Sequence, residues 1–432
     1  MANIQPFRAF RYDARRVSVS QVVTQPYDKI SPALQEQYYS ASPHNLVRII
    51  LGRRESDDNR EKNVYSRASA YFRDWRGQGI LQQDSAPSLY LYSQRFTIPG
   101  MNTEVERLSF IGLGRIEDYS AGIVYRHEHT LAKPKADRLD LLRATRAHFG
   151  QIFMLYEDSE IEALLQTDAH PDVTVTDEYG VVHSVWQVSN PALIASIRAA
   201  MADKKLIIAD GHHRYETALN YRNECRAKDG QTGVAPYDYV MMTFINMHSP
   251  ALLVLPTHRV IHSLPSFSGD DFRNSARAFF DVEELDVTPD ASRATAMIRQ
   301  CGRAGTTILA VTPTRAFLLH HPNPNAANVF QGLSIRQQSL DVVQLHKVLL
   351  ENVLHLSEES IRNQENISYV REAAEALSYV QGETPRANVV FLMNPCRVSQ
   401  VRDIAFAGEV MPQKSTDFYP KLLSGLTIYA LD

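Results

Sequence analysis

Lys205-Leu206-Ile207-Ile208-Ala209-Asp210-Gly211-His212-His213-Arg214-Tyr215-Glu216-Thr217-Ala218-Leu219 sets an apolar run directly against a glycine and a burst of titratable side chains. Residues 205–209 read as a buried strand, and the segment from Asp210 reads as a tight turn that opens a helix. Gly211 permits the turn and a close backbone approach, while a helix N-terminus offers unpaired N–H groups and partial positive charge. Asp, His, His, Arg and Glu within seven residues at the end of an apolar strand serve no core-packing purpose. The arrangement suits an anion, a phosphate above all, with titratable groups beside it. Arg214 is the natural phosphate fork and the N–H groups after Gly211 are the cradle. His212 and His213 are candidate acid/base groups, metal ligands or neutral phosphate donors, and since adjacent side chains diverge, at most one faces a reacting atom. Glu216 is a candidate to orient a histidine, against a salt-bridged helix residue; in a phosphotransferase, Asp210 or Glu216 would help hold Mg²⁺ or orient a histidine. The competing reading is a helix-capping turn with surface histidines.

Three further polar stretches stand out on either side. Gln25-Pro26-Tyr27-Asp28-Lys29 places a carboxylate in a loop before a helix; Asp28 is a candidate general base or Mg²⁺ ligand, against an ordinary turn aspartate after proline. His127-Glu128-His129-Thr130, followed by Lys133, Asp137 and Arg138, is a second cluster. His-x-His in a strand puts both rings on one face, as some metal sites require, but the spacing supplies no third ligand; a polar binding loop is the other reading. Met411 to Lys421 packs Lys414, Ser415, Thr416 and Lys421 with two aromatics, fitting a loop that closes on a phosphate or nucleobase. It lacks the glycine pattern of a Walker loop. A solvated loop with aromatics plugging the core accounts for the same residues.

Along the chain the pattern is mixed. Ser31-Pro32 opens a helix over 32–40, Leu46 to Leu51 reads as a strand, and 60–80 as a helix. Strands at 89–92 and 108–111 form a hairpin, residues 137–147 a helix, 152–156 a strand, a strand pair flanks 178–180, and a helix covers 190–202. Beyond Tyr239, 240–245 and 252–256 read as adjacent strands. Helices near 270–280, 340–354 and 368–380 alternate with strands near 307–311, 316–320 and 389–393. An α+β protein results, with a boundary within 235–270: a phosphate-binding domain over 1–245, carrying inserted strands at about 85–200, and a C-terminal α+β domain over 246–432.

Length and composition set the outer limits. The 432 residues suffice for two or three domains, and 44% hydrophobic content fits a globular fold. With 45 basic against 49 acidic residues there is no global field for DNA or an anionic membrane. Three dispersed cysteines argue against a disulfide framework and fit a reducing cytoplasm. No apolar run of membrane-spanning length is present, so a soluble, cytoplasmic protein is expected.

Taken together, Pro26-Tyr27-Asp28, His127-Glu128 with Thr130, Asp137-Arg138, Ala209 to Leu219 and Met411 to Lys421 resemble the family known as domain of unknown function 1015. Asp210 to Glu216 is also similar to the Gly-Gly-Cys-His-Arg-Tyr-Glu stretch of sulfiredoxin and to the Gly-Glu-Arg-Arg box of ParB proteins. That resemblance implies a ParB/sulfiredoxin-like nucleotide-binding core, a superfamily that includes kinases of free serine. Two departures limit it. His212 stands at the position of sulfiredoxin's nucleophilic cysteine, so sulfinic acid reduction is not expected. His213 replaces the first arginine of the ParB box and no basic helix-turn-helix is evident, so DNA partitioning is not expected. The resemblance implies a nucleotide-dependent phosphotransferase of serine metabolism, using ATP or another nucleotide with Mg²⁺ and acting on a small hydroxylated metabolite, free serine first. Asp28 then corresponds to the early acidic residue of the serine kinases and receives the substrate's hydroxyl proton. Asp210, Gly211 and Arg214, with Lys414, Ser415, Thr416 and Lys421, are expected on the nucleotide phosphates, His212, His213 and Glu216 in acid/base or orienting roles, and Tyr27, His127, Glu128, Thr130 and Arg138 on the substrate. A phosphatase of phosphoserine, using the same cradle with water as acceptor, and a nucleotide-binding regulator without turnover are the alternatives.

Overall fold

The computed structural model describes residues 2–128, 130, 132–230, 233–323 and 328–432. The described chain divides into two compact units, one formed by residues 1–126, 130–253 and 420–432, the other by 127–129 and 254–419. Both are mixed assemblies of helices and sheet. The changeover lies at Leu253 and Val254, and the last thirteen residues return to the first unit.

The first unit is organised by a nine-stranded mixed sheet. Its order runs Val124–Tyr125, Leu206–Asp210, Ile152–Tyr156, Tyr239–Asn246, Glu104–Arg115, Leu89–Thr97, Val182–Val188, Val173–Thr176, with Ile4–Gln5 also paired to Glu104–Arg115. The strands expected from 85 to 200 are therefore integral to this sheet. The central strands are apolar on both faces, as Ile152–Tyr156 and Tyr239–Asn246 are buried throughout, and their β-branched and aromatic side chains suit that position. Tyr239–Asn246 lies between Glu104–Arg115 and Ile152–Tyr156, so it does not neighbour 252–256 as its apolar pattern suggests. Ile152, Met154, Leu206, Ile208, Met242 and Phe244 face a core shared with Ile194 and Ile197 of one helix and Tyr215 and Ala218 of another.

Two local readings meet different outcomes. Residues 46–51 form a helical turn, Val47–Ile50, rather than a strand. A short apolar run has no readable period. The deciding residue is the preceding Asn45, fully buried, whose Oδ1 accepts the Val47 N–H at 2.9 Å and starts the turn. Ser31 caps Pro32–Ala41 by accepting from Leu34 N, as its sequence predicts.

The second unit is built on a six-stranded antiparallel sheet in the order Asp281–Leu285, Ala316–His320, Thr307–Val311, Val389–Met393, His258–Ile261, Ile367–Val370. Helices Ala291–Cys301 and Ala373–Ser378 pack on it through Ala294, Ile298, Ala376 and Leu377. Two expected helices are modified. Residues 368–380 divide into the edge strand and a short helix, and 340–354 continue from an α-helical turn at Asp341–Gln344 into π-helix at Leu345–Val353. The π pitch brings Leu345, His346, Val348, Leu349, Leu350 and Val353 all into the interior.

Candidate functional site

The strand–turn–helix stands where the sequence places it, with a feature the sequence does not display. Strand Leu206–Asp210 pairs with Ile152–Tyr156 by Ile207 opposite Leu155 and Ile208 opposite Met154, but Asp210, not Ala209, stands opposite Phe153. Ala209 is thus an extra residue, a β-bulge. It turns Asp210 away from the core face occupied by Leu206 and Ile208. Gly211 follows in the left-handed region at φ 92°, and the helix His212–Asp229 begins.

Asp210 is the centre of an ion cluster. Its Oδ2 accepts from Arg214 Nη2 at 2.8 Å, one helical turn on, and its Oδ1 from Lys421 Nζ at 2.9 Å. Burial alone would push this carboxyl up. Lys421, Arg214 and the charge of Lys29 overcome that and hold it well below the ordinary aspartate value. Two glycines make room for the guanidinium: a Cβ on Gly211 would lie 3.0 Å from Arg214 Nε, and one on Gly150 3.2 Å from Nη1. Arg214 Nη1 also donates to the Gln151 carbonyl at 2.6 Å. Lys421 is fixed through its backbone, since its carbonyl accepts from Gln94 Nε2 at 2.8 Å while Arg107 Nη2 donates to the Pro420 carbonyl at 2.6 Å. Arg107 in turn bonds Gln94 Oε1 and lies over the Phe153 ring at 4.9 Å.

The segment before Asp28 is held just as firmly. Thr24 and Ser424 exchange backbone hydrogen bonds at 3.1 and 2.8 Å, and the Gln25 side chain donates to Asp177 at 3.0 Å. Tyr27, Asp28 and Lys29 then form a 3₁₀ turn. Burial, reinforced by the Asp28 charge, raises the Tyr27 phenol to about 12, so it stays protonated. The Arg138 guanidinium covers the Tyr27 ring at 4.2 Å, bonds Asp137, and donates to the Ile50 carbonyl at 2.6 Å. Asp28 is exposed, and among the described residues nothing hydrogen-bonds or ion-pairs with its carboxylate.

Tyr27, Arg138, Arg214, Thr217, His148 and Ser424 line a pocket with Leu141, Phe149 and Val240, a concavity of about 580 Å³ when the open solvent at its mouth is counted with it. Burial lowers His148 to about 4, so the imidazole in this wall is neutral. The Thr217 hydroxyl is buried and has no hydrogen-bond partner among the described residues. Polar groups on an apolar concavity are what small-ligand sites present.

The remaining expected residues lie in other settings. Glu216, on the same helix, accepts from Thr130 Oγ1 at 2.6 Å and pairs with Lys135 at 2.9 Å and Arg126 at 3.3 Å. Burial pushes its carboxyl up, but Thr130, Lys135 and Arg126 together lower it. His212 is buried and His213 half-buried at the start of the helix. In the second unit, Glu128 Oε1 accepts the backbone N–H groups of Ser415 and Thr416, both at 3.0 Å, and the Thr416 hydroxyl at 3.1 Å. That hydroxyl therefore accepts from the fully buried His127, whose Nε2 is 2.9 Å away. Lys414 is exposed, with φ 59°. His129 lies outside the described residues, and the Lys133 side chain is likewise not described. The supports around Arg214 and Lys421, namely Gly150, Gln151, Gln94 and Arg107, escaped the sequence reading because each is ordinary in its own local context. Lys29 stands beside Asp28 in a stretch the sequence singles out, but without a role of its own.

In the first unit a strand end rich in charged side chains adjoins this pocket, on a mixed sheet within a mixed α/β architecture. Residues 4–343 match the family described as "Protein of unknown function (DUF1015)", and the chain belongs to that family. A comparison with curated proteins finds no match. Among solved structures, the chain is similar to a conserved hypothetical protein from Pyrococcus furiosus at 12% identity and a TM-score of 0.35, covering 68% of this chain and 86% of that one. It is similar to a free serine kinase in complex with AMP at 12% identity and a TM-score of 0.34, covering 70% and 88%. It is also similar to SbnI with C-terminal truncation from Staphylococcus aureus at 10% identity and a TM-score of 0.34, covering 73% and 85%. The three cysteines are free, and among the described residues no helix is long and apolar enough to cross a membrane.

Proposed function

We propose that this protein is a nucleotide-dependent phosphotransferase acting on a small hydroxylated metabolite, with free serine the first substrate to test. The observation that carries the reading is the grouping of Arg214 and Lys421 on a single carboxylate at a helix N-terminus, within the field of Lys29, with Asp28 exposed in the turn that carries Lys29 and without a hydrogen-bond or ion-pair partner among the described residues. Phosphoryl transfer asks a protein for positioning, charge neutralisation and an acceptor for the hydroxyl proton. Arg214 and Lys421 supply the charge. In the absence of phosphate, Asp210 holds both in place and neutralises part of their charge, and a nucleotide phosphate would compete with it for their N–H donors. Asp28 takes the hydroxyl proton. In this reading the strand–turn–helix is a ParB/sulfiredoxin-like phosphate cradle, and the Tyr27–Arg214 pocket holds the organic part of a ligand.

A Mg²⁺ ion accompanying the nucleotide has few protein ligands to draw on. Neither of the two groups of potential ligands among the described residues involves this cluster, and Asp210 is already paired with two cations. Such an ion fits best bound by phosphate oxygens and water, as Mg²⁺ often is.

Phosphorus NMR of the protein with Mg²⁺, ATP or ADP, and serine tests the proposal, beside a sample with phosphoserine alone. A phosphomonoester that needs both nucleotide and serine supports it. Orthophosphate released from phosphoserine without nucleotide would replace it with a phosphatase. Nucleotide that raises the melting temperature but is never consumed, with serine or other hydroxylated metabolites, would replace it with a regulator.

A further inference from the structure

One edge of the second unit's sheet gathers two imidazoles and a carboxylate that no part of the phosphotransferase reading uses. Asp281 opens the edge strand and stands directly opposite His320, the last residue of the neighbouring strand. His321 follows with φ 47°, in the left-handed region that histidine enters more readily than most residues, and its ring lies against His320 with centroids 4.4 Å apart. His320 Nδ1 lies 2.9 Å from His321 Nδ1, and His321 Nδ1 lies 3.1 Å from Asp281 Oδ2. One ligand atom from each of the three falls within 4.8 Å of the others.

Protons alone satisfy this arrangement poorly. His321 Nδ1 faces two neighbours at once. If it carries the proton, that single N–H must serve both the His320 nitrogen and the Asp281 oxygen. If His320 Nδ1 carries it instead, the His321 lone pair is turned toward a carboxylate. Protonating both Nδ1 atoms sets two N–H groups against each other. A divalent cation accepts all three lone pairs together. With metal–nitrogen distances of about 2.0–2.1 Å, adjacent ligand atoms lie roughly 2.9 Å apart in an octahedron and roughly 3.4 Å apart in a tetrahedron. The spacings of 2.9 and 3.1 Å fall within that interval. The other cluster of this kind among the described residues, Glu55 with Asp57 and Asp58, differs because Lys62 and Arg67 already pair with it. Among the described residues, no lysine or arginine pairs with Asp281.

We propose that Asp281, His320 and His321 form a binding site for one divalent transition metal of the zinc class, with water in the remaining coordination positions. Two imidazoles and one carboxylate are the donor set such borderline ions take, whereas Mg²⁺ and Ca²⁺ favour all-oxygen sites. The exposure of Asp281 and His321, about two-thirds of each side chain, leaves the open positions accessible. The site pins the ends of two neighbouring strands and is independent of the nucleotide reading.

The test is a zinc titration of the untagged, chelator-stripped full chain in competition with a chromophoric chelator. One equivalent is expected, with affinity falling about tenfold or more in His320→Ala and in His321→Ala and the equivalent lost in the double variant. His248→Ala, which removes an exposed histidine elsewhere, should change nothing. Cobalt(II) added to wild type should give the d–d absorption of a nitrogen-ligated ion, absent from the double variant. Circular dichroism of the double variant, expected to match wild type, separates loss of ligands from loss of fold. No zinc uptake by wild type, or uptake unchanged in a folded double variant, overturns the proposal.

Discussion

The two loops that the sequence offers as phosphate-binding elements differ in what holds their donors. At the end of strand Leu206–Asp210, one carboxylate is shared by two cations, Arg214 and Lys421. In the loop around Lys414, Glu128 has already taken the backbone N–H groups of Ser415 and Thr416 along with the Thr416 hydroxyl. The first keeps attraction to spare for an anion; the second has supplied its own. Residue types are similar in the two places. What separates them is the ratio of acceptors to donors, which depends on side chains far away in the sequence.

Asp28→Asn makes the sharpest break between the two. If Asp28 is the proton acceptor proposed above, its loss should reduce turnover about 10²- to 10⁴-fold while leaving nucleotide affinity near wild type. Phosphorus NMR for turnover and titration calorimetry for binding read the two quantities separately. Turnover that survives removes Asp28 from the chemistry and leaves the cationic cluster as a binding element alone.

The second expected effect is on stability. Glu128→Ala strands two backbone N–H groups and a hydroxyl that the carboxylate now satisfies, a cost of about 2–3 kcal/mol. Urea unfolding should show it, and nucleotide titration should not. If nucleotide affinity falls instead, the Lys414 loop is a ligand site and the contrast is wrong. Arg214→Lys is milder. It keeps the charge but loses the planar fork that bridges Asp210 and the Gln151 carbonyl, and nucleotide affinity should drop roughly tenfold. An unchanged affinity would mean that the phosphates lie elsewhere.

This contrast also marks where the sequence stops being informative. The strand, the glycine turn and the helix start at Lys205 to Leu219 are local, set by an apolar run, one residue suited to φ 92° and a polar burst, and they read directly. The hairpin of strands expected at 89–92 and 108–111 is equally legible, and it forms over Leu89–Thr97 and Glu104–Arg115. The bulge at Ala209 is invisible, because it follows from how two strands register and not from any residue preference. Glu128 reads as a polar candidate, yet nothing near it says that its partners are Ser415 and Thr416, 287 and 288 positions on. Gly150 and Gly211 show the same limit, since only one of the two glycines flanking Arg214 lies in the motif. Leu46 to Leu51 fails for another reason: a short apolar stretch has no period, and the buried Asn45 decided it.

The smallest effect expected tests whether Lys421 belongs to the cluster electrically or merely packs there. Asp210 is held below the 3.8 of an unperturbed aspartate. A carboxyl depressed on folding adds stability above its unfolded value and loses it as pH falls toward its folded one, so the wild type should lose stability below about pH 4 on this account. Lys421→Met keeps the side chain's length and removes the charge. Burial, which favours the neutral acid, then meets only Arg214 and Lys29, and the Asp210 carboxyl rises toward or past its unfolded value. The loss of stability between about pH 4 and about pH 2 should be shallower in the variant, even though it is the less stable protein at neutral pH. Urea midpoints measured across that interval report the slope. Parallel slopes would show that Arg214 and Lys29 suffice to hold Asp210 ionised, so that the Lys421 charge can serve a ligand at little cost to the cluster.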